Sequence, residues 1–487
     1  MRFGFVCLLI LSQGCTLVPS RRAERDGAQY LDLPTQWVNS GEGNGGMIST
    51  GWVETFNDPE MTRLVEEAVE RNQGIRIAEA TLRIAQQALV FGRAPRLPQF
   101  GFSGSGSGSG FRGREASGGL SPWRDSESYG FTASASWELD LWGRLKDLHQ
   151  AAKHDYVANQ ADFRGARLAL AATTAKAWCN LITAKQQLDL ALQTKESFAR
   201  NFRITERNYR AGEGTSALSV QFAGNNVASA ERSVVSRQLS LDESKRTLEI
   251  LLGRYPATAI ASRDDLPTLS ENIPVGLPSE LLMRRPDLVA ASHDLIASAE
   301  RSVAQRKNLL PAINLSARGS VGSEKLADLI GDPASMVRSL AASLSQPIFQ
   351  GGRLKAQVRQ AQIRNEIAIE SFVVTALPAF REVESAIARE ISLAAQERFV
   401  EIETNQAELA ERQANRDYSE GIVNIIQVLE AQRRAFNARN SRISLKNQRL
   451  QNRIDLHLAL GGDFSTFPDK QNTEPGAGHE SFLHNEE

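Results

Sequence analysis

One pattern occurs twice in this chain, and its second appearance leaves few folds open. Gly143-Arg144-Leu145-Lys146 returns as Gly352-Arg353-Leu354-Lys355. Tyr209-Arg210-Ala211-Gly212 is answered by Tyr418-Ser419-Glu420-Gly421 at the same separation from its glycine-arginine start. Equal spacing over so long a stretch marks a rigid element that tolerates no insertion. Upstream, Arg96-Leu97-Pro98-Gln99-Phe100 parallels Leu309-Leu310-Pro311-Ala312-Ile313, each closing a helical segment that contains Leu82 or Leu295. The order is therefore helices, hairpin, long helix, helix, performed twice.

The stretch between the first glycine-arginine motif and its Tyr-x-x-Gly turn is rich in Ala, Gln and Leu, and Gly165 is its one glycine. As a continuous helix rising about 1.5 Å per residue it would extend about 100 Å, deeper than any globular core. Leu181, Leu188, Phe202 and Tyr209 fall on one seven-residue lattice interrupted by Lys195, with Trp178 and Leu192 on a second. In the other copy Val373, Phe380, Ile387 and Ala394 share a lattice, and Leu377 and Ile391 lie on its partner. The returning helix carries Leu429, Phe436, Ile443 and Leu450 at sevens. Such spacing predicts coiled-coil seams. Pro378 interrupts one long helix at a local cost of about 3 kcal/mol. Because the lattice resumes in phase at Phe380, the proline is expected to kink the helix rather than end it.

Between Pro98 and Gly143 the period falls to two. Phe100 and Phe102 lead into alternating Ser and Gly, and the return arm places Tyr129, Phe131, Ala133, Ala135, Trp137, Leu139 and Leu141 on one side. The second hairpin runs out through Ile313, Leu315 and Ala317 and back through Leu340, Ala342 and Leu344. Alternation of this kind is the signature of membrane strands, and arms of about a dozen residues can cross a tilted bilayer. No later segment has about twenty uninterrupted apolar residues, so a membrane span must be made of strands. Two hairpins supply four strands, whereas closure in lipid takes about eight or more. The barrel must be shared. Three copies would give twelve strands, although strand count alone also admits two or four copies.

The N-terminus reads Met-Arg-Phe-Gly-Phe-Val-Cys-Leu-Leu-Ile-Leu-Ser-Gln-Gly-Cys, with one positive charge, a short apolar run and then small residues. This predicts a signal peptide over 1–14. Cys15, directly after Gly14, predicts lipoprotein processing, with diacylglycerol on its sulfur and an acyl chain (palmitate) on its nitrogen. Cleavage removes Cys7 and lipidation consumes Cys15, leaving Cys179 alone and no disulfide within a protomer. Its neighbours Trp178, Leu181 and Ile182 make it a buried small hydrophobe.

Several functions are disfavoured by the same residues. Lys+Arg at 56 against Asp+Glu at 57 leaves a net charge of −1, without the basic footprint of a nucleic-acid binder. The histidines are His149, His154, His293, His457, His479 and His484, and no pair has a metal-site spacing. Gly104-Ser105-Gly106-Ser107-Gly108 lacks the lysine and following helix of a phosphate loop and reads as strand. Pro286 in Arg284-Arg285-Pro286-Asp287 reads as a helix start rather than part of an anion site. No catalytic set or cofactor motif is visible, so an enzyme is not expected.

Three further motifs complete the pattern: Trp52-Val53-Glu54-Thr55-Phe56-Asn57-Asp58-Pro59, Ser136-Trp137-Glu138-Leu139-Asp140-Leu141-Trp142-Gly143-Arg144, and Leu277-Pro278-Ser279-Glu280-Leu281-Leu282-Met283-Arg284-Arg285-Pro286-Asp287. With the Tyr-x-x-Gly turns and Leu460-Gly461-Gly462, the chain resembles the TolC-like outer-membrane factors, in the lipoprotein branch that serves resistance-nodulation-division efflux pumps. The resemblance implies an α+β membrane protein: a homotrimer with a twelve-stranded barrel in outer-membrane lipid and a periplasmic coiled-coil helical barrel. It implies a passive exit duct for drugs, metals or other small solutes, working with an inner-membrane pump and a periplasmic adaptor. An outer-membrane component of type I protein secretion is the near alternative, and a trimeric structural or adhesin rod a distant one.

On this resemblance the signal peptide 1–14 is followed by an anchor and equatorial segment, 15–57. A first repeat, 58–252, holds helices 58–94, a hairpin 97–141 and long helices 143–210 and 215–252. An equatorial linker, 253–277, leads to the second repeat, 278–461, with helices 279–309, hairpin 311–349 and long helices 352–419 and 422–461. An equatorial and disordered tail, 462–487, ends the chain. The resemblance also places the turns with Gly212 and Gly421 at a periplasmic tip where the duct is gated. There the family's tip tyrosine matches Tyr418, with Tyr209 its counterpart in the first copy, and its second acidic ring matches Glu430. The locking arginine falls on Val423, the first acidic ring on Gln427 and the first copy's acidic partner on Ser219. Most of the charge lock is thus missing, and the gate is expected to depend on packing, chiefly in the second copy, with a ring of Glu430 carboxylates attracting cations.

Overall fold

The structure is a computed structural model that describes residues 31, 34, 36–38, 51–115, 118–212, 215–269, 278–331 and 333–463. The expected signal peptide 1–14, the lipid anchor Cys15, the end of the 253–277 linker and the tail beyond Asp463 lie outside the described residues.

In chain order a short 3-10 turn (Trp52–Phe56) precedes helices α1 (Pro59–Arg71) and α2 (Gln73–Arg93). Strands β1 (Gln99–Phe111) and β2 (Arg124–Leu139) lead into α3 (Arg144–Ala211) and α4 (Ala217–Leu251). The same order follows with α5 (Pro278–Arg284), α6 (Pro286–Lys307), β3 (Ala312–Ser323), a single-turn helix α7 (Asp328–Gly331), β4 (Ser335–Ser345), α8 (Arg353–Ser419) and α9 (Ile425–Ala459). Among the described residues no helix is long and apolar enough to cross a membrane.

Asn72 divides the 58–94 segment into two helices. Its backbone is extended, its Nδ2 donates to the Leu251 carbonyl at 2.9 Å, and its Oδ1 accepts from the Gly74 N–H at 2.8 Å. One side chain thus ends one helix and starts the next, as Asn does well. Pro378 does not end α8, which runs through it from Arg353 to Ser419.

Two compact units partition the chain. Among the described residues the first comprises Leu31, Ala80–Gln160 and Ala290–Val374, and it carries the sheet. Its four strands pair antiparallel in the order β1-β2-β3-β4, which leaves β1 and β4 as edges. The motif at the end of β2 fastens the sheet to helix starts. The Trp142 Nε1–H donates to the Pro311 carbonyl at 2.7 Å, Trp137 to the Arg96 carbonyl at 3.1 Å, and Arg144 pairs with Glu138 at 2.7 Å. Asp140 accepts the Leu145 and Lys146 N–H groups, satisfying donors that the first turn of α3 leaves free. Lys307 and Asp147 form a buried ion pair beside them.

The second unit comprises Asp32–Glu79, Ala161–Val289 and Thr375–Glu487. Its core gathers Trp52, Phe56, Met61 and Leu64 against Trp178, Leu181 and Ile182 of α3, Leu248 of α4, and Leu450 and Ile454 of α9. Asp58 caps α1 through the Glu60 and Met61 N–H groups and accepts from Trp178 Nε1 at 2.9 Å, so the motif Trp52–Pro59 pins a helix start to the long helix. Gly461, at φ 67°, lies so close to Arg284 and Arg285 that a Cβ would come within 2.9–3.0 Å of their backbone. Only glycine meets both demands. Two motifs that are far apart in sequence, the double arginine and the double glycine, are thereby one contact.

The heptad lattices are only partly consumed within the chain. Leu181, Leu188 and Leu450 are buried, whereas Leu192, Leu377 and Ile391 are exposed. The coiled-coil seam expected at those positions is therefore not made by this chain with itself. Apolar side chains that no described helix of the same chain covers are available to another copy.

Candidate functional site

Two features of the structure bear on transport: the faces of the sheet and the turns of the two long hairpins. Because strand pairing fixes which side chains share a face, cross-sheet rows can be read directly. One face carries the rows Phe100–Ala135–Ala317–Leu340 and Gly104–Phe131–Val321–Met336. The other carries Gly101–Ser134–Arg318–Ser339 and Gln99–Ser136–Ser316–Ala341. One side is thus apolar and aromatic, the other small, hydroxylated and wettable. Glycine at 104 and 106 leaves room for the Phe131 and Tyr129 rings, which a Cβ would meet at 3.0 and 3.1 Å. Arg338 interrupts the apolar face near the loop end of β4, where a charged side chain costs least in lipid.

The hairpin turns are built alike. Gly212 at φ 75° and Gly421 at φ 74° take the left-handed conformation that ends a helix, and their N–H groups donate to Tyr209 O and Tyr418 O, both at 3.1 Å. Each following helix starts on a side-chain cap. Ser216 accepts from the Ser219 N–H at 3.1 Å, while Asn424 and Gln427 form a reciprocal capping box at 3.2 Å in each direction. Ser219 and Gln427, which the resemblance aligns with acidic gate positions, are the third residues of α4 and α9 and complete their caps.

The tyrosines differ. Tyr209 is exposed, but Tyr418 packs with Val423, Phe198 and Phe202 around buried Ala223, Ile425, Val428 and Leu429. Val423, which the resemblance aligns with the locking arginine, is part of an apolar cluster that joins the second turn to α3 and α4. Glu430 departs from the expectation of a bare acidic ring. Its carboxylate accepts from Arg433 at 2.8 Å and Arg434 at 2.8 Å, three and four residues on. The Arg434 and Arg433 guanidinium groups hold its carboxyl below the ordinary range. Two guanidinium groups on one carboxylate leave a local excess of positive charge. The apolar cluster and these arginines were missed in the sequence. The i+3 and i+4 spacing after Glu430 was the available signal.

A sheet with one lipid-compatible and one wettable face, alternating along the chain with long helical hairpins, defines a channel subunit of a bacterial outer membrane. The chain belongs to the outer membrane efflux protein family, whose model matches residues 64–254 and 277–462. It resembles the cation efflux system protein CusC of Escherichia coli K12, 28% identical over 465 residues that cover 94% of this chain and 98% of that protein. Crystal structures of CusC superpose with a TM-score of 0.77, covering 89% of this chain and 98% of that one at 27% identity. The outer membrane protein OprJ of Pseudomonas aeruginosa is 31% identical over 466 residues, 94% of this chain and 96% of that protein. The probable outer membrane lipoprotein SilC of Salmonella typhimurium is 27% identical over 418 residues, 85% and 88% of the two. Among the described residues no group of three or more His, Cys, Asp or Glu is arranged to hold a metal ion.

Proposed function

We propose that three copies of this chain close a twelve-stranded barrel in the outer membrane and form the passive exit duct of a tripartite efflux pump, receiving solutes through a periplasmic adaptor from an inner-membrane pump. The observation that carries this reading is the open sheet. Four strands with an apolar face and a hydroxylated face leave the backbone donors and acceptors of β1 and β4 unpaired, and hydrocarbon offers them no partner. Joining β1 of one copy to β4 of the next satisfies both edges, and the exposed Leu377 and Ile391 give the helices a matching reason to associate.

The tip closes by packing of the Tyr418–Val423 cluster, and the acidic ring contributes little because Glu430 is already bonded to arginines. Cys15 carries the lipid anchor, a reading that the lipoprotein name of SilC supports. Drugs, metals and other small solutes are the cargo class, and the cation efflux name of CusC favours trying metal ions first.

Purified protein tests the duct. Native mass spectrometry should give a heat-sensitive trimer whose planar-bilayer incorporation produces ion-conducting channels. Monomers, or trimers without conductance, would remove the duct reading. Cys15→Ser should abolish labelling by a palmitate analogue while leaving the conductance of refolded trimers intact.

A further inference from the structure

His154 on α3 and His293 on α6 are both half-buried within the first unit, and their Nδ1 atoms lie 2.9 Å apart. Their ring centroids are 5.2 Å apart with planes inclined by 24°. A ring nitrogen lies about 1.15 Å from the centre of its imidazole, so nitrogens at the observed spacing allow the centroids to be at most about 5.2 Å apart. The rings therefore reach the largest separation their contact permits. They are aligned head to head along one line and are not stacked face on face, an arrangement that would bring the centroids closer. One Nδ1–H donates along that line into the lone pair of the other Nδ1.

Two imidazole nitrogens aimed at each other along one line present the ligand field of a two-coordinate cation. Closed-shell monovalent ions of the copper group accept two nitrogens in line, whereas zinc requires four ligands in a tetrahedron and copper(II) or nickel(II) a square. We propose that His154 and His293 form a two-coordinate site for a soft monovalent cation, Cu(I) or Ag(I), held between the two Nδ1 atoms. Metal–nitrogen bonds of about 2 Å put the nitrogens about 4 Å apart, so the two rings together withdraw by about 1 Å, a motion their partial exposure permits. On binding, the proton of the donor Nδ1 passes through water to Nε2 of the same ring. Both rings then stay neutral, both lone pairs face the ion, and no proton is released. This site is independent of which solutes the duct passes.

The test uses the full-length protein in detergent, titrated calorimetrically with silver nitrate in chloride-free buffer at pH 7, with zinc in parallel. One high-affinity Ag+ per chain is expected, weakened at least tenfold in both His154→Asn and His293→Asn at unchanged circular dichroism and oligomer mass. Equal Ag+ affinity in wild type and variants would overturn the proposal, as would Zn2+ binding that the same substitutions abolish. Should a variant fail to fold, wild type alone decides by diethylpyrocarbonate labelling read by peptide mass spectrometry. Ag+ should protect His154 and His293, and equal labelling with and without Ag+ would contradict the site.

Discussion

The two long hairpins have nearly the same dimensions, 68 and 35 residues in α3 and α4 against 67 and 35 in α8 and α9, and they are held together by different chemistry. Between α8 and α9 runs a ladder of ion pairs. Arg439 bonds Glu408 and Glu411 at 2.9 and 2.7 Å, Arg449 bonds Glu390 and Glu397 at 3.1 and 2.6 Å, and the buried Arg453 returns to Glu390 at 2.6 Å. Between α3 and α4 the counterparts are one loose pair, Lys195–Glu231 at 3.5 Å, and Arg237 donating to Gln187 at 2.6 Å. Equal length shows that geometry is held in common. Unequal pairing shows that the two copies hold that geometry by different means.

The sharpest break in the comparison is at Glu390. Glu390→Ala takes the shared carboxylate from the buried Arg453 and from Arg449, and breaking such a buried pair costs about 4 kcal/mol. The half-exposed Glu231→Ala should cost no more than about 0.5 kcal/mol. Guanidinium unfolding of the detergent-solubilised protein measures both, and equal losses would erase the distinction.

Acid should act on the second hairpin in the same way. His457, at the end of α9, stacks on Trp52 at 5.6 Å, and burial, helped by Arg453, depresses its pKa from 6.5 to about 4. A neutral-preferring histidine contributes stability above pH 6.5 that is lost as pH falls toward 4, up to about 3 kcal/mol. Burial alone would raise the Glu390 pKa, but the Arg453 and Arg449 bonds outweigh it and hold the group below 4.5. Its contribution is present above pH 4.5 and fades below it as the folded group takes up its proton. Hydrogen exchange at pH 7 and pH 5 should show α9 losing protection before α4, with His457→Gln flattening the difference. Equal loss in both helices would count against it.

At the turns the caps differ by less. Asn424→Ala removes a reciprocal box and Ser216→Ala a cap whose hydroxyl meets only the N–H and hydroxyl of Ser219, each worth about 1 kcal/mol, with the larger loss at Asn424. Local exchange at the first turns of α9 and α4 resolves the order. The smallest effect is expected at Glu430. Since Arg433 and Arg434 already occupy its carboxylate, Glu430→Gln should leave cation selectivity of single channels unchanged, and a marked loss of selectivity would restore the acidic ring.

What the sequence made legible follows from range. Period-two alternation from Phe100 to Gly110 and from Tyr129 to Leu139 points to strands because it is local and long. The helix-long spacing of the motifs is likewise one-dimensional. The division at Asn72 was hidden because one side chain, bonded to Leu251, makes it. Gly461 against Arg285 and His154 against His293 are contacts between distant parts of the chain, and no local spacing announces them. Glu430 is the opposite case. Its arginines stood in plain helical spacing, and family analogy drew attention to the acid instead of its neighbours.

The central claim is that β1 and β4 are edges only in a single chain. Cysteine pairs placed along both edges, such as Ser105→Cys with Ala341→Cys, test it by oxidative cross-linking in outer membranes, since Cys179 is buried and its thiol is pushed up to about 12. A covalent ladder that ends at three chains is predicted. A ladder ending at two or four, or bonds formed only within one chain, would contradict the shared barrel.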